Sequence, residues 1–448
     1  MKRVKEKKIF TVLRKPIEEF FRLESSAGIM LILATVAAIF WINSPWHDSY
    51  HLFWHKHLII GFDKVRMDYT IHHWVNDALM SIFFFLVGLE IKREVMAGEL
   101  SDIKHAAMPI AAAIGGMVVP ALIFVLLNAR GAGKEGWGIP MATDIAFSIG
   151  VLSLLGKRVP LGLKVFLTAL AIVDDIGAVL VITFFYSSDI YFDFLIYAFV
   201  LLALLYAINF LNVYRLEIYV FIGIVIWFLF LQSGVHPTVA GVLVAFSIPA
   251  KRKFDEATYL DVLGNGYQQL KEMDKPVSSI LLPAKQFEVI DAIDRATNKV
   301  QSPLQRIEIN LHEFVFYIVM PVFALANAAI YIDHTFFKSL TGTLTYSIAI
   351  SLLLGKVIGI SFFSWLAFKL KLANYPSKVE LPEIIGLGLL GGIGFTMSLF
   401  ISNLAYHNEI LVEDAKTGIL VGSTLAGISG FFYLKYLLNK KYPMQKKN

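Results

Sequence analysis

Residues 161–186 read LGLKVFLTALAIVDDIGAVLVITFFY, and this stretch decides the fold class. The run is long enough to cross a bilayer as a helix, which takes about 20 apolar residues. Asp174 and Asp175 stand near its centre. A carboxylate at that depth costs at least about 2.5–3.5 kcal/mol, so its presence predicts a functional site. Two adjacent carboxylates call for an exchangeable positive charge, which a proton, a metal cation or a cationic side chain supplies.

The composition places the whole chain in the same class. Of 448 residues, 57% are hydrophobic and only 17% are charged, whereas soluble domains carry about 25% charged residues. The apolar runs are too long and too uniform for barrel strands, so they predict membrane-spanning helices. The chain contains no cysteine, which excludes disulfides and thiolate metal sites.

We therefore predict an all-α polytopic membrane protein with about twelve transmembrane helices. With both termini in the cytoplasm, most of the 40 Lys and Arg residues fall on the cytoplasmic side, in agreement with the positive-inside rule. Topology thus explains the net charge of +5, and we expect the lipid bilayer, not a nucleic acid, as the partner. The predicted spans are 27–42, 71–91, 107–127, 137–155, 161–186, 194–211, 216–231, 238–249, 314–330, 344–368, 384–404 and 419–438.

Outside the spans, the chain divides into polar segments. Residues 1–24 predict a cytoplasmic amphipathic segment with an interfacial helix at 10–23. The charged residues of this helix argue against a cleavable signal peptide. A frayed basic tail is the alternative.

The long polar loop 251–310 contains apolar residues at helical spacing, Phe287, Ile290, Ile293 and Ala296, so we expect one or two surface helices there. That loop is either regulatory or a solvated linker. The five predicted segments are 1–24, spans one to eight at 25–250, the long cytoplasmic loop at 251–310, spans nine to twelve at 311–438, and a basic tail at 439–448.

The two adjacent aspartates cannot hold one ion as a parallel pair, because neighbouring side chains on a helix diverge by about 100°. We therefore expect the two carboxylates to have different roles: one faces an ion pathway, and the other faces a structural partner. Lys356 is the only cation deep in a predicted span, and it lies between Gly355 and Gly359, where small residues permit close helix contact. The alternatives are a permanent structural ion pair for the aspartates and a purely structural role for the lysine.

The stretch 139–148 (IPMATDIAFS) predicts a broken helix inside the fourth span. Pro140 lacks a backbone donor, and Thr143 and Asp144 are residue types that begin helices. We expect Asp144 to cap the second half and Thr143 to offer an oxygen to a small cation. The glycines of 391–396 (GGIGFT) interrupt the eleventh span similarly, although they also suit simple close packing. Two interrupted helices in corresponding halves indicate a transporter site at the midplane.

Three further positions carry ionisable side chains near span ends. His236 begins the eighth span and titrates near physiological pH, so it is either a pH sensor or a structural residue. Asp77 lies near the external end of the second span, where bonding to a neighbouring helix is the simple interpretation. Glu90 belongs to a charged cytoplasmic cluster with residues 92–94. The alternative to a functional role is that these charges are simply solvated and paired with one another.

Seven motifs together resemble the NhaA family of bacterial sodium/proton antiporters, over most of the chain from about residue 25 to 438. They are VGLEIKRE at 87–94, PMATDIAFSIG at 140–150, ALAIVDDIG at 169–177, SGVHPTVAG at 233–241, MPVFALAN at 320–327, GKVIGI at 355–360 and GGIGFTMS at 391–398. This family is itself a known example of inverted-repeat transporters.

The resemblance implies inverted-topology repeats, spans three to five and ten to twelve, with two discontinuous helices crossing near the midplane. It implies that Asp175 binds Na+ or Li+ beside Asp174, and that Lys356 pairs with Asp174 in the proton-loaded state. Asp144 and Lys356 would compensate the facing half-helix dipoles. Thr143 falls on a family position close to the ion.

The resemblance also implies a bacterial inner-membrane protein, commonly a homodimer, with contacts through the external segment 46–69. No cofactor is expected besides the transported ions.

Regulation by pH is implied for Glu90, Glu308 and His312, and His236 joins them as the candidate named above. Two departures bear on this expectation. The loop 251–310 is longer than in the best-known members, and Ile309 replaces a second histidine. Both leave the ion site unaffected.

The function expected is secondary active transport that exchanges cytoplasmic Na+ or Li+ for external protons by alternating access, without enzymatic activity. An intramembrane aspartyl protease needs facing carboxylates that share a proton; adjacent Asp174 and Asp175 cannot supply them, and Asp144 with Asp175 is the conceivable dyad. A cation channel would be obstructed by a buried Lys356. Another proton-coupled transporter remains the third alternative.

Overall fold

The computed structural model describes residues 26–62, 65–129, 131–187, 190–273, 282–376 and 379–441. Almost all of these residues are helical or connect helices, as predicted. The predicted amphipathic helix at 10–23 and most of the basic tail at 439–448 lie outside the described residues.

Seventeen helices and one β-hairpin follow one another along the described chain. A 3-10 segment at Lys134–Met141 precedes α5. The elements are α1 (Ser26–Ile42), α2 (His47–Trp54), β1 (His57–Phe62), β2 (Val65–Thr70), α3 (Ile71–Ala97), α4 (Ile103–Leu127), α5 (Ile145–Ser153), α6 (Leu161–Phe185), α7 (Phe192–Phe210), α8 (Leu216–Ser233), α9 (Thr238–Ser247), α10 (Glu256–Glu272), α11 (Ala284–Val300), α12 (Pro303–Asn327), α13 (His334–Ser339), α14 (Thr343–Lys369), α15 (Leu381–Gly391), α16 (Phe395–Ala405) and α17 (Glu409–Lys441).

Within the described residues, eight helices are long and apolar enough to cross a membrane: α3, α4, α6, α7, α8, α12, α14 and α17. The count reaches ten if two bent pairs are each one span, α1 with α2 at 114° and α15 with α16 at 48°. The predicted spans 137–155 and 238–249 hold shorter helices, α5 and α9. The protein is an all-α polytopic membrane protein, and the figure of twelve spans stays a prediction.

The β-hairpin is the one departure from the helical prediction in the described chain. Strands β1 and β2 pair antiparallel from His57 opposite Thr70 to Phe62 opposite Val65. Three of the six residues of β1 are of types that favour strands: Ile59, Ile60 and Phe62. Three apolar side chains of this strand are nearly half exposed: Leu58, Ile59 and Ile60.

The long loop contains two helices, as predicted, but with a different buried face. Val289 and Ala296 of α11 are buried, whereas Phe287 and Ile290 are exposed. The reason is that α11 packs on Gly266 of α10, with Ile293 at the contact; helical spacing predicts a stripe but not which neighbour it meets. Helix α12 begins at Pro303 behind a capping box on Ser302, so the last residues of the predicted loop 251–310 are polar residues of its first turns. The bounds of that loop stay a prediction.

Three of the spanning helices each contain one π turn, a feature frequent at functional positions. These turns are Val75–Leu79 in α3, Val315–Val319 in α12 and Ser351–Gly355 in α14. In α14, Lys356 follows the turn directly.

Helices α4 and α14 cross at glycines, and this crossing admits Lys356 to the protein interior. A Cβ at Gly359 would lie 2.1 Å from the carbonyl oxygen of Gly115, and one at Gly115 would lie 2.2 Å from that of Gly359. Lys356 itself is fully buried. The backbones therefore touch where the lysine turns inward.

We expect Gly359→Ala to destabilise the protein by about 1–3 kcal/mol, because the added methyl group meets backbone that cannot rotate away. The change is measured as a lower Tm in detergent, together with reduced ion exchange. Gly427→Ala is the matched control, since its nearest neighbour would be 3.4 Å away. Equal Tm values for the two variants would contradict the tight crossing.

Candidate ion-binding site

The two interrupted spans meet at their breaks. The backbone N–H of Asp144 donates to the carbonyl of Ile393 at 2.7 Å. The hydroxyl of Ser148 donates to the carbonyl of Leu390 at 2.9 Å, and that of Ser398 donates to the carbonyl of Ile139 at 2.7 Å. Each broken segment thus satisfies backbone groups that the other leaves open, as lipid-embedded irregular backbone requires.

Asp144 caps two helices at once. One carboxylate oxygen accepts from the N–H of Phe147 at 3.0 Å, at the start of α5. The other accepts from the N–H of Thr396 at 3.1 Å and from the Thr396 hydroxyl, at the start of α16. A single buried carboxylate therefore faces two converging helix N-termini, each of which favours negative charge. The cap on α5 was predicted from the sequence.

Asp174, Lys356 and Thr143 form a buried triangle. Lys356 Nζ lies 2.7 Å from Asp174 Oδ2 and 2.9 Å from Thr143 Oγ1. The Thr143 hydroxyl also lies 2.7 Å from Asp174 Oδ2 and 3.0 Å from the carbonyl of Gly391, the last residue of α15. Lys356 thus reaches the C-terminal end of that half-helix through Thr143.

Asp175 is buried and lacks such a partner. Among the described residues, burial and the charges of nearby groups act on its side chain, without a hydrogen bond or an ion pair. The buried Oδ1 of Asp174 is also unbonded. The charges that act on Asp175 are those of Asp174, Glu90, Asp144 and Lys356. A buried carboxylate among other carboxylates is costly unless a proton or a cation neutralises it.

The oxygen atoms of this site are suitable ligands for a cation that binds and is released again. Hard cations prefer oxygen ligands, and the site offers carboxylate oxygens of Asp174 and Asp175 and the hydroxyl of Thr143. No group of three or more His, Asp or Glu side chains that could hold a metal occurs in the described part of the chain. A transported ion must be bound weakly enough to depart, and a sparse ligand set is consistent with that.

A cavity of about 440 Å³ approaches the site from one end of the bundle. Glu94 and Glu99 line it, together with Thr168 and Ala169 of α6. Ala169 precedes Asp175 by six residues, or about 9 Å of helix. Lys164 and His105 also line the cavity, so its wall carries basic as well as acidic side chains.

Two of the four residues predicted for pH regulation meet at the same end. The Arg93 guanidinium donates to the buried carboxylate of Glu308 and pairs with Glu94 at 2.9 Å. Glu90 lies within electrostatic range of all three. Charged side chains at the end of α3 therefore pair with each other and also with Glu308 of α12.

Lys92 does not join that cluster. Its Nζ donates to the carbonyls of Phe246 and Ile248 at 2.6 and 2.5 Å, where α9 ends. His312 is exposed, and its ring centroid lies 4.3 Å from that of Phe316. Neither residue touches the ion site.

His236 lies at the opposite end of the bundle. The Asp77 carboxylate stands between two histidines, 2.8 Å from His73 Nε2 and 3.5 Å from His236 Nε2. Asp77 thus joins α3 to the start of α9, which is the interhelical bond expected for it. The four pH candidates therefore divide between the two ends of the protein.

The sequence interpretation missed the hydroxyl groups that hold the crossing together. Thr396, Ser148 and Ser398 each bond to the opposite broken segment. A signal was present, because both interrupted motifs place hydroxyl residues beside the break, in stretches that are otherwise apolar. Their partners could not be assigned without the crossing itself.

The family model described as Na+/H+ antiporter 1 matches residues 18–434. The NhaA antiporter of Oleidesulfovibrio alaskensis is 45% identical, with 96% of each chain covered. NhaA 2 of Syntrophotalea carbinolica is 46% identical over 94% of this chain and 96% of its own. The NhaA antiporter of Bacteroides fragilis strain ATCC 25285 is 44% identical over 96% of this chain and all of its own.

Proposed function

Because the chain belongs to the Na+/H+ antiporter 1 family of membrane transporters, we propose that it exports cytoplasmic Na+ or Li+ in exchange for external protons, by alternating access at Asp175. Exchange of Na+ for H+ is the activity that the family and the relatives support. The direction, the place in a bacterial inner membrane with both termini cytoplasmic, and the roles of single residues belong to the proposal.

The observation that supports the proposal is the unequal state of the two adjacent aspartates. Asp174 is neutralised by Lys356 at 2.7 Å, whereas Asp175 has no partner among the described residues. One carboxylate is thereby held by the protein, and the other is left for a competing proton or sodium ion.

The cycle follows from this competition. Protons enter from outside and occupy Asp175 and either Asp174 or Lys356. Opening to the cytoplasm releases them, and the emptied carboxylate takes Na+, which the reverse movement exports. Two protons per sodium ion would make the cycle electrogenic, so that the membrane potential would drive export.

Glu90 and Glu308 act in pH activation through the cluster around Arg93, with His312 and His236 as further candidates. The protein needs no cofactor beyond the ions that it transports. Two copies associate through the β-hairpin, whose half-exposed apolar strand β1 offers the surface.

The rival protease mechanism fits the geometry less well. Its conceivable dyad pairs Asp144 with Asp175, and both carboxylates must be free to share a proton. The two oxygens of Asp144 are already bonded to the starts of α5 and α16. The relatives compared above are transporters.

The test is ion exchange in proteoliposomes with an imposed pH gradient, followed by a pH-sensitive dye. Na+ and Li+ are expected to collapse the gradient between about pH 6.5 and 8.5, the range near neutral pH in which a group that exchanges protons works best. K+ is expected to leave it intact. No response to any ion, with folded and inserted protein, would refute the proposed exchange.

A further inference from the structure

The helices α10 and α11 of the long loop form an antiparallel pair beside the spanning helices. At the base of the pair, the backbone N–H of Phe254 donates to the carbonyl of Lys299 at 3.0 Å. Further along, the Tyr259 hydroxyl lies 3.4 Å from that of Thr297. Neither helix is among those long and apolar enough to cross a membrane. We call α10 and α11 the loop pair.

Large apolar side chains are exposed along both helices of the loop pair. They are Leu260, Leu263 and Tyr267 on α10, and Phe287 and Ile290 on α11. The exposed fractions range from 38% at Leu263 to 64% at Tyr267. Contiguous exposed apolar patches of this kind mark interaction sites. We call these five residues the apolar face.

The two rows of the apolar face point to the same side of the loop pair. Each residue turns a helix by about 100°, so the row on α10 is directed about 60–120° away from Gly266, where α10 contacts α11. The row on α11 is directed by the same angle, in the same sense, away from Ile293 at that contact. Because the helices are antiparallel, equal rotations along each chain lead to one common side.

The charges beside the apolar face are mainly acidic. Glu256, Asp291 and Asp294 border it, and Asp291 is paired with Arg295. Lys271 is the one lysine beside the face in the described chain. The lysines of α11 are directed to the opposite side: Lys285 and Lys299. A helix that lies on an anionic membrane surface carries bases next to its apolar row, so a basic protein segment suits this face better than a bilayer.

Residues 1–24 of this chain have the complementary chemistry. They contain eight Lys or Arg residues and four Glu residues, so their net charge is positive. Apolar residues recur among them at helical spacing: Phe10, Leu13, Ile17 and Phe20. The segment therefore offers both an apolar row and the bases that the acidic border of the face attracts.

The chain before α1 and the loop pair leave the bundle at the same end. The Ser26 hydroxyl, at the start of α1, lies 2.6 Å from the Tyr317 hydroxyl of α12. At the other end, Asn43 Nδ2 donates to the carbonyl of Ile330, beyond α12, at 2.8 Å, so the two helices run in parallel. Tyr317 is about 21 Å along α12 from Pro303, which follows the loop pair. Residues 1–25 cover about 37 Å as a helix and about 80 Å when extended, so their length suffices.

We propose that residues 1–24 bind in cis to the apolar face of the loop pair. Their apolar row packs on Leu263 and Tyr267, and their bases lie beside Glu256 and Asp294. The contact joins the chain before α1 to the chain before α12. This inference goes beyond the proposed function and does not depend on it. The bilayer surface and a second copy of the chain are the rival covers, which the test distinguishes.

The absence of cysteine allows a direct test by thiol accessibility. Leu263→Cys places a sole thiol in the apolar face. Asn265→Cys is the matched control, because Asn265 is exposed and directed to the opposite side of α10. Membrane vesicles that contain the protein are treated with N-ethylmaleimide, which reaches both sides of the membrane. The labelling rate of each thiol is measured with residues 1–24 present and deleted.

Deletion of residues 1–24 should raise the labelling rate of Leu263→Cys about tenfold, which corresponds to about 1.4 kcal/mol of lost contact. The rate of Asn265→Cys should stay the same. A second variant, Leu13→Asp with Ile17→Asp, keeps the chain length and every base, so it preserves the charges that orient the protein in the membrane. It should raise the rate of Leu263→Cys in the same direction.

The binding in cis is overturned if neither variant changes the rate of Leu263→Cys. A rate that is slow in all variants would assign the cover to the bilayer or to another part of the chain, and a rate that is fast in all would leave the face uncovered. A bismaleimide applied to Leu13→Cys with Leu263→Cys separates one copy from two. Joined peptides in the monomer band, identified by mass spectrometry, are expected, whereas a crosslinked dimer would assign the cover to a second copy.

Discussion

Asp175→Asn abolishes the Na+-dependent collapse of a pH gradient in proteoliposomes. Asparagine has nearly the shape of aspartate but neither exchanges a proton nor carries charge. A charge pair at 4 Å is worth about 4 kcal/mol at an effective dielectric constant of 20, so the affinity for Na+ should fall about a thousandfold. Exchange is measured over the full range of pH and of Na+ concentration.

The control is the same substitution at another buried aspartate, Asp77→Asn. Asp77 lies between two histidines away from the ion site, so this variant should retain exchange. Both variants must match the parent in size-exclusion profile. Substantial exchange by Asp175→Asn would remove Asp175 from the site.

Lys356→Met lowers the stability of the protein more than any surface change. Removal of one partner from a buried ion pair leaves an uncompensated charge and costs about 3–5 kcal/mol. Both side chains of the Lys356–Asp174 pair are completely buried, so solvent cannot take over the role of the lysine. The effect is followed as a fall in Tm in detergent at pH 8.

A second substitution shows whether the cost comes from Asp174. In the double variant Lys356→Met with Asp174→Asn, the stranded charge is gone, and most of the lost Tm should return. Asp174→Asn alone should cost less than Lys356→Met. If the two single effects simply add, the lysine stabilises the protein through packing and not through the ion pair.

The sequence predicted the fold class because lipid leaves few choices for the backbone. It also predicted the first cap of Asp144, since Pro140 and Thr143 are local signals. The second cap, on Thr396, joins residues 252 positions apart and depends on how the two broken spans cross. Local patterns carry no information about such a crossing.

The same limit explains the other differences. Lys356 could be identified from the sequence because buried carboxylates need a compensating positive charge, and Lys356 is the only cation deep in a predicted span. The hydrogen bonds from Thr143 to Asp174 and Lys356 could not be predicted, because they require three separate chain segments to lie side by side. On α11, the exposure of Phe287 was not foreseen, because Gly266 on another helix determines which face packs.

The π turn before Lys356 amounts to a one-residue insertion in α14. Each additional residue advances a helix by about 100°, so Lys356 points to Asp174 only because Ser351–Gly355 accommodates one more residue than a regular turn. A uniform helical wheel drawn through α14 would misassign the residues on one side of this point. In an aligned relative, a one-residue gap here would therefore mark a different orientation of the lysine, even where the neighbouring letters agree.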